Sequence, residues 1–305
     1  TFLAGAAAAA PRAKVSFVPA GAKIDVLIGG APFTSFHFDP KWDKPFLHPL
    51  RTASGKVITR WFPLEDRPGE RQDHPWHRGI WWGHGDINGE DFWREQGRGK
   101  TARLALESPP RTGGTTLSAR LALEAREGRK LGSVLEEFSF DQAGANRFID
   151  ARITIAADGG TALKFGDTDD GGFAFRLSDA FQQAAGAELR NSEGLAGTEK
   201  IWGKPARWVD YSAVVEGEKT GVAIFDHPSN LRHPTGWHAR GYSLCAANPF
   251  ALRSFTGDKS KDGSYTLPAG GRLVFRYRVV IHPGDARQAG IEELYRQFGS
   301  ATAPA

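Results

Sequence analysis

The residues between Asp73 and Trp93, DHPWHRGIWWGHGDINGEDFW, carry the densest chemistry in the chain. They include His74, His77 and His84, the carboxylates Asp73, Asp86, Glu90 and Asp91, Arg78, Asn88 and four tryptophans. A core strand avoids so many ionisable groups, because each needs a buried partner, and a solvated loop has no use for four indoles. The composition suits a concave site with flat apolar walls and a few convergent polar groups.

A second dense stretch, Asp226 to Phe250, supplies His227, His233, His238, Asn230, Arg232, Arg240, Trp237 and Asn248. Each stretch begins Asp-His-Pro, and proline favours an extended backbone in the residue before it, so both leading imidazoles are expected on extended segments. If the stretches meet, up to six histidines line one cavity. Two chemistries fit such a cavity. Some of the imidazoles would bind one divalent metal ion, with carboxylates such as Asp73 orienting them. Alternatively, His and carboxylate pairs act as general acid and base without metal, because imidazole titrates near neutral pH. The spacing His74-x-x-His77 puts the rings on opposite faces of a strand, so a turn has to bring them together.

Trp76, Trp81, Trp82, Trp93, Trp202, Trp208 and Trp237 lie in or near the polar stretches, whereas residues 101–158 contain no tryptophan. Indole faces stack on the C–H faces of sugars, and the indole N–H donates a hydrogen bond. The pocket therefore reads as one for a carbohydrate or another small molecule. The candidate acid–base groups or ligands are His74, His77, His84 and His238, and the leading carboxylates are Asp73, Asp86, Asp167 and Glu193. Arg78, Asn88, Arg240 and Asn248 are candidate anchors for hydroxyl or carboxylate groups, with Trp82 and Trp237 as stacking platforms. GDTDDGG lacks the spacing of a calcium loop. No phosphate-cradling loop, G-x-S-x-G elbow or dinucleotide fingerprint is present.

The elements that must position these residues are short strands. Glycine (37) and proline (18) are frequent but not periodic, which favours strands and turns over long helices. Segments such as KVSFVPAG, KIDVLIGG and RFIDARITIAA alternate as half-buried antiparallel strands, Gly29-Gly30 reads as a hairpin turn, and Lys56–Phe62 reads as a strand. Asp179 to Gln183 reads as a short helical turn. One convincing helix follows, DARQAGIEELYRQFG, with Asp285 as its N-cap. The expected fold is an all-β, large antiparallel sandwich with a short C-terminal helix, one domain over residues 13–305.

The net charge of +4 comes from scattered Arg and Lys, with no basic run for nucleic acid or lipid headgroups. The single cysteine, Cys245, rules out an intrachain disulfide or a thiolate metal cluster. The opening TFLAGAAAAA reads as the end of a signal-peptide apolar region, so residues 1–12 are expected to be a residual leader or tail and the protein periplasmic or secreted. No other stretch approaches the ~20 apolar residues that span a bilayer.

Four ordered blocks carry a family resemblance: DHPWHRGIWWGHGDINGEDFW, GDTDDGGFAFRLSDAF, RNSEG with IWGKPARWVDYS, and FDHPSNLRHPTGWHARGYSLCAANPF. Together, over residues 45–255, they are similar to the bacterial DUF6807 family, members of which are often labelled "methane oxygenase PmoA". The particulate methane monooxygenase subunit of similar name is an integral membrane protein, and this chain has no spanning segment. The resemblance implies an all-β fold like the galactose-mutarotase supersandwich, without an established reaction. Trp76 stands where a histidine is common in the family, which weakens a metal site here if that histidine is a ligand. The expected function is a carbohydrate-active enzyme that hydrolyses, eliminates or epimerises. The competing readings are a non-catalytic sugar-binding module and a metal-dependent oxygenase.

Overall fold

The computed structural model describes residues 13–96 and 100–300. The leader-like residues 1–12 lie outside the described residues. Two large antiparallel sheets make the body of the fold. The front sheet has eight strands, in the order Val15–Pro19, Lys23–Ile28, Ala31–His37, Phe46–Leu47, Ile80–His84, Gly171–Arg176, Leu244–Asn248 and Gly236–Ala239. The back sheet runs from Glu188–Asn191 through Trp208–Val215, Glu218–Asp226, Arg272–Pro283, Asn146–Ala156, Lys130–Ala143 and Thr116–Glu124 to Arg103–Leu106. The all-β sandwich expected from the alternating pattern is the fold observed. Gly29 and Gly30, both at positive φ, form the hairpin turn they suggested.

Strand alternation divides the central front-sheet residues between two faces. Ile80 and Trp82 point into the core between the sheets, beside Phe173, Phe175, Trp237 and Cys245. Trp81, Ala174, Leu244 and Ala246 point outward and build a smaller apolar floor with Phe46 and Trp93. Register locks this division: Trp81 pairs with Ala174, and Ala174 with Ala246, which pairs with His238. Gly172 is required in this patch. Its φ is +96°, and a Cβ there would lie 1.9 Å from the Ala247 carbonyl oxygen.

Two expected elements differ. Residues 56–62 make only isolated bridges, Arg51 with Val57 and Thr59 with Leu177. The Trp61 and Phe62 N–H groups donate to the Glu70 carboxylate instead of to a neighbouring strand. The C-terminal helix spans Ile291–Ser300, later than expected. Asp285 accepts N–H bonds from Arg287 and Gln288, but Gly290, at φ +65°, separates that turn from the helix. The helix buries Ile291, Tyr295 and Phe298 against Phe148, Phe225 and Val280 on the outer side of the back sheet. The short helical turn forms at Asp179–Phe181. Among the described residues no helix is long and apolar enough to cross a membrane.

The apolar pattern of the back sheet is broken at Glu136. Glu136 lies fully buried in the strand Lys130–Ala143, and burial raises its carboxyl pKa to about 8. The folded state therefore holds a proton that the unfolded chain releases near 4.5. Glu136 favours folding least at high pH, and stability falls as pH rises from the unfolded value through about 8. Urea denaturation across that window should show this slope in the wild type, and Glu136→Gln should flatten it and stabilise the protein at pH 8. An unchanged slope in the variant would show that Glu136 does not titrate this way.

Candidate functional site

The site is built around a turn held by a buried guanidinium. Residues His74 to His77 form a β-turn, with the His77 N–H donating to the His74 carbonyl at 3.0 Å and Pro75 in the second position that turns favour. The side chain of Arg60, with no solvent exposure, closes over this turn. Its Nη1 donates to the Asp73 carbonyl (2.6 Å), to Asp73 Oδ1 (2.5 Å) and to the Arg71 carbonyl (3.2 Å); its Nη2 donates to the carbonyls of His74 (2.9 Å) and His77 (3.2 Å). The extended conformation expected for His74 does not occur. Its φ is +43°, because the chain reverses there to present successive carbonyls to one cation.

The turn stacks His74 on His77 with ring centroids 4.9 Å apart. Tyr242 stacks on the outer face of His74 (5.6 Å), and Trp81 on the inner face of His77 (5.3 Å). Four near-parallel rings thus run from the half-buried Tyr242 down to the sheet. Trp76 and Trp93 meet His77 edge-on at 6.0 and 5.7 Å. His77 is 1% exposed, and neither ring nitrogen has a protein hydrogen-bond partner. Burial holds its pKa well below the ordinary imidazole value, and Arg176 adds to the shift. His77 is therefore neutral at physiological pH.

Asp73 ties the turn to the sheet. Its Oδ1 also accepts from Arg176 Nη2 at 2.7 Å, while its Oδ2 lies 2.9 Å from Arg71 Nε and 3.0 Å from His74 Nδ1, neither with hydrogen-bond alignment. Burial opposes ionisation of Asp73, but Arg176 and its other cationic neighbours outweigh it and hold the carboxyl below its usual range. Arg176 is fully buried, with the Tyr242 ring 4.7 Å away.

His238 enters from the neighbouring edge on the same outer face. Its Nδ1 meets the Asp169 carbonyl at 2.6 Å, and its Nε2 accepts from Arg240 Nε at 3.1 Å. An acceptor at Nε2 and a donor at Nδ1 define one neutral tautomer. Burial brings the His238 pKa down to about 4. Arg240 lies over Trp202 at 3.7 Å and 3.6 Å from Asp169 Oδ2. The next carboxyl, Asp170, is paired with Arg94, yet burial raises its pKa.

Several expected site residues lie elsewhere. His84 points into the core, bonded to the Gly166 carbonyl at 3.0 Å and packed on Phe165 and Phe250, with burial lowering its pKa to about 4. Trp82 and Trp237 are buried between the sheets and offer no stacking face; the Trp237 N–H donates to the Ala206 carbonyl. Asp86 accepts the Gly89 N–H, and Asn88 pins the same hairpin to Ala162 and Lys164. Asp167 accepts the N–H groups of Arg253 and Ser254 at the start of a short helix, and of Gly263. Asn248 spans the carbonyls of Thr168 and Asp169, so it supports the loop behind His238. Glu193 is exposed beside Ser192. Arg78 is buried against Glu95 and over Trp42, just beyond the turn.

The two Asp-His-Pro stretches do not pool six histidines. His227 packs on Phe298 of the C-terminal helix, and His233 bonds Asp226 at 2.7 Å, so only His238 of the second stretch joins His74 and His77. Among the described residues no three His, Cys, Asp or Glu side chains converge in a geometry that holds a metal ion. The His238 nitrogens are already engaged and His74 faces Asp73, so the expected divalent-metal site does not fit this arrangement. Sequence reading missed Arg60, Arg176, Asp170 and Tyr242. The available signal was a lone arginine inside an apolar strand pattern, in ITRWF and in FAFRLS.

A cleft of about 610 Å³ adjoins the turn, lined by Trp42, Asp43, Pro75, Arg78 and Glu95 among others. The histidines themselves sit beneath Tyr242, outside that cleft. Removing Arg60 tests whether its guanidinium holds the turn. Arg60→Met should destabilise the protein by about 3–5 kcal/mol, the usual effect of breaking a buried charged cluster, and should diminish the near-ultraviolet circular dichroism of the ring stack. A variant with native stability and an unchanged spectrum would show that the turn is held by other contacts.

A family model described as a family of unknown function, DUF6807, matches residues 23–296. Comparison with curated proteins gives no match. Solved structures give remote likenesses. A galactose mutarotase related enzyme from Lactobacillus acidophilus is 9% identical, with a TM-score of 0.39 over 88% of this chain and 97% of that one. A galactose mutarotase-like protein from Lactobacillus casei is 9% identical, with a TM-score of 0.37 over 88% of this chain and 100% of that one. The GH36 α-galactosidase AgaA from Geobacillus stearothermophilus, solved as a variant with raffinose, is 12% identical with a TM-score of 0.40, over 93% of this chain and 43% of that one. At such scores the fold assignment rests on the observed sheets, while the family match extends over most of the sequence and both histidine stretches: the chain belongs to the DUF6807 family.

Proposed function

We propose that this protein is an exported carbohydrate-active enzyme in which His77 acts as a neutral general base on a sugar held at the outer face of the front sheet. The observation that carries the reading is His77 itself. It is buried among indoles, has no protein hydrogen bond at either nitrogen, and is kept neutral by burial. A structural histidine in such surroundings normally has a protein hydrogen bond, as His84 has at Nε2 and His238 at both nitrogens. Of the surrounding rings Trp76 and Tyr242 are only half-buried, and their faces suit the C–H face of a pyranose. Asp170, whose pKa burial raises, is the carboxyl of the group most easily kept protonated to return a proton. Proton removal from a sugar carbon by His77 accounts for epimerisation when a proton is returned to that carbon and for elimination when it goes to the departing oxygen. In hydrolysis His77 takes the proton from a water that attacks the anomeric carbon while Asp170 protonates the leaving glycosidic oxygen.

The test is a panel of glycosides and free sugars followed by reducing-end release, ultraviolet absorbance of unsaturated products and optical rotation. With a substrate in hand, His77→Gln should lower turnover at least about a hundredfold while the urea midpoint stays near wild type. A base with a depressed pKa remains deprotonated on mild acidification, so kcat/KM should hold steady below pH 6.5 and fall only in more acid solution. Full activity in the variant, or an acid limb centred at or above 6.5, would remove His77 from the role. Saturable sugar binding without turnover, unchanged in the variant, would instead make the protein a binding module.

A further inference from the structure

The unpartnered polar atoms around His77 have a marked bias. The indole N–H groups of Trp76, Trp81 and Trp93 and the Nε and Nη1 of Arg176 are all buried without a protein hydrogen-bond partner. Each can only donate. Against these five donors, and the unpartnered Nε of Arg60, stand one acceptor of the neutral His77 ring and Asp73 Oδ2, with His74 Nδ1 the remaining unpartnered atom of the turn. A hydroxyl group brings one donor with two acceptor lone pairs, so a neutral polyol answers such an excess only in part. A carboxylate brings acceptors alone.

Charge points the same way. The guanidinium groups of Arg60, Arg71 and Arg176 share one carboxylate, Asp73. Burial is the main cause of the lowered His77 pKa, and the cations Arg176 and Lys44 add to it, so the fixed charges among the groups acting most strongly on the ring are positive. The Asp169 carboxylate on the rim is already matched by Arg240, and Asp170, whose pKa burial raises, lies against Arg94. We infer that the sugar accepted by this site carries a carboxylate, received by Arg176 beside His77. The inference rests on the carbohydrate reading above and narrows its substrate class to acidic sugars of the uronate type.

Access runs past Tyr242. Its ring covers Arg176 and stacks on His74, and it sits on a tight turn in which the Ser243 N–H donates to the Arg240 carbonyl at 3.1 Å. Tyr242 is half-buried and the His74 ring beneath it is already partly exposed, so these two rings form the solvent side of the stack.

The full chain should be titrated with D-glucuronate and D-galacturonate, and with D-glucose and D-galactose, at matched ionic strength, following tryptophan fluorescence. Each uronate should bind about tenfold or more tightly than its neutral counterpart, because only it forms charge-assisted bonds. Arg176→Gln should abolish that preference, and far-ultraviolet circular dichroism shows whether the variant is folded. Equal affinity for uronate and neutral sugar in the wild type would overturn the acidic-sugar assignment and leave the carbohydrate reading intact. No response to any of the four sugars would overturn both. A folded Arg176→Gln protein that keeps its uronate preference would remove Arg176 as the receiving group. The wild-type comparison decides the inference even if the variant does not fold.

Discussion

A fully buried guanidinium is costly unless its donors are answered, and the local path of the chain answers both terminal Nη groups of Arg60, leaving only Nε without a partner. Three residues of the Asp73–His77 turn supply carbonyl oxygens and Asp73 supplies a carboxylate oxygen as well. Burial and the nearby Arg176 bring the Arg60 pKa down to about 10, which still leaves the group charged at neutral pH. The positive φ of His74, the stacking of His74 on His77 and the anchoring of Arg176 through Asp73 all follow from this arrangement. A residue without a planar set of donors could not gather the same oxygens at once.

The second constraint is strand register. Because side chains alternate across a strand, a one-residue slip in the front sheet would exchange Trp81 for Trp82 and His238 for Trp237. Pairing of both strands with the Gly171–Arg176 and Leu244–Asn248 strands prevents the slip, and the glycine at position 172 permits the close approach. The inner tryptophans fill the core while the outer ones line the site. The same residue type has two roles, separated only by the face it occupies.

Electrostatics give the site its character. Three imidazoles lie close together, and burial keeps both His77 and His238 neutral among arginines. Their states differ in consequence: His238 is locked in one tautomer between Asp169 and Arg240, whereas His77 has free nitrogens in an apolar cage. The first is suited to a fixed position and the second to exchanging a proton. Tyr242 stacks on His74 and lies over Arg176 at the solvent side of this cage.

Much of this was legible in the sequence. Alternating segments and glycine-rich turns established the sandwich, since a period of two has one structural meaning when repeated across the chain. Clustering of His, Asp and Trp between Asp73 and Trp93 identified the region of the site, and the need for a turn between His74 and His77 could be argued from strand geometry alone. What tertiary structure decided was direction and partnership. His84, Trp82 and Trp237 have the same composition signal as His77, Trp81 and His238, and only the pairing of strands assigns the first group to the core and the second to the outer face. Asp86 and Asp167 look catalytic by type, but backbone N–H groups distant in sequence claim Asp167 and a local turn claims Asp86. Arg60 and Arg176 were overlooked because a lone arginine in an apolar strand pattern says nothing about which oxygens it will meet. Those oxygens are supplied by chain segments that converge only on folding, and local sequence does not specify where such segments meet.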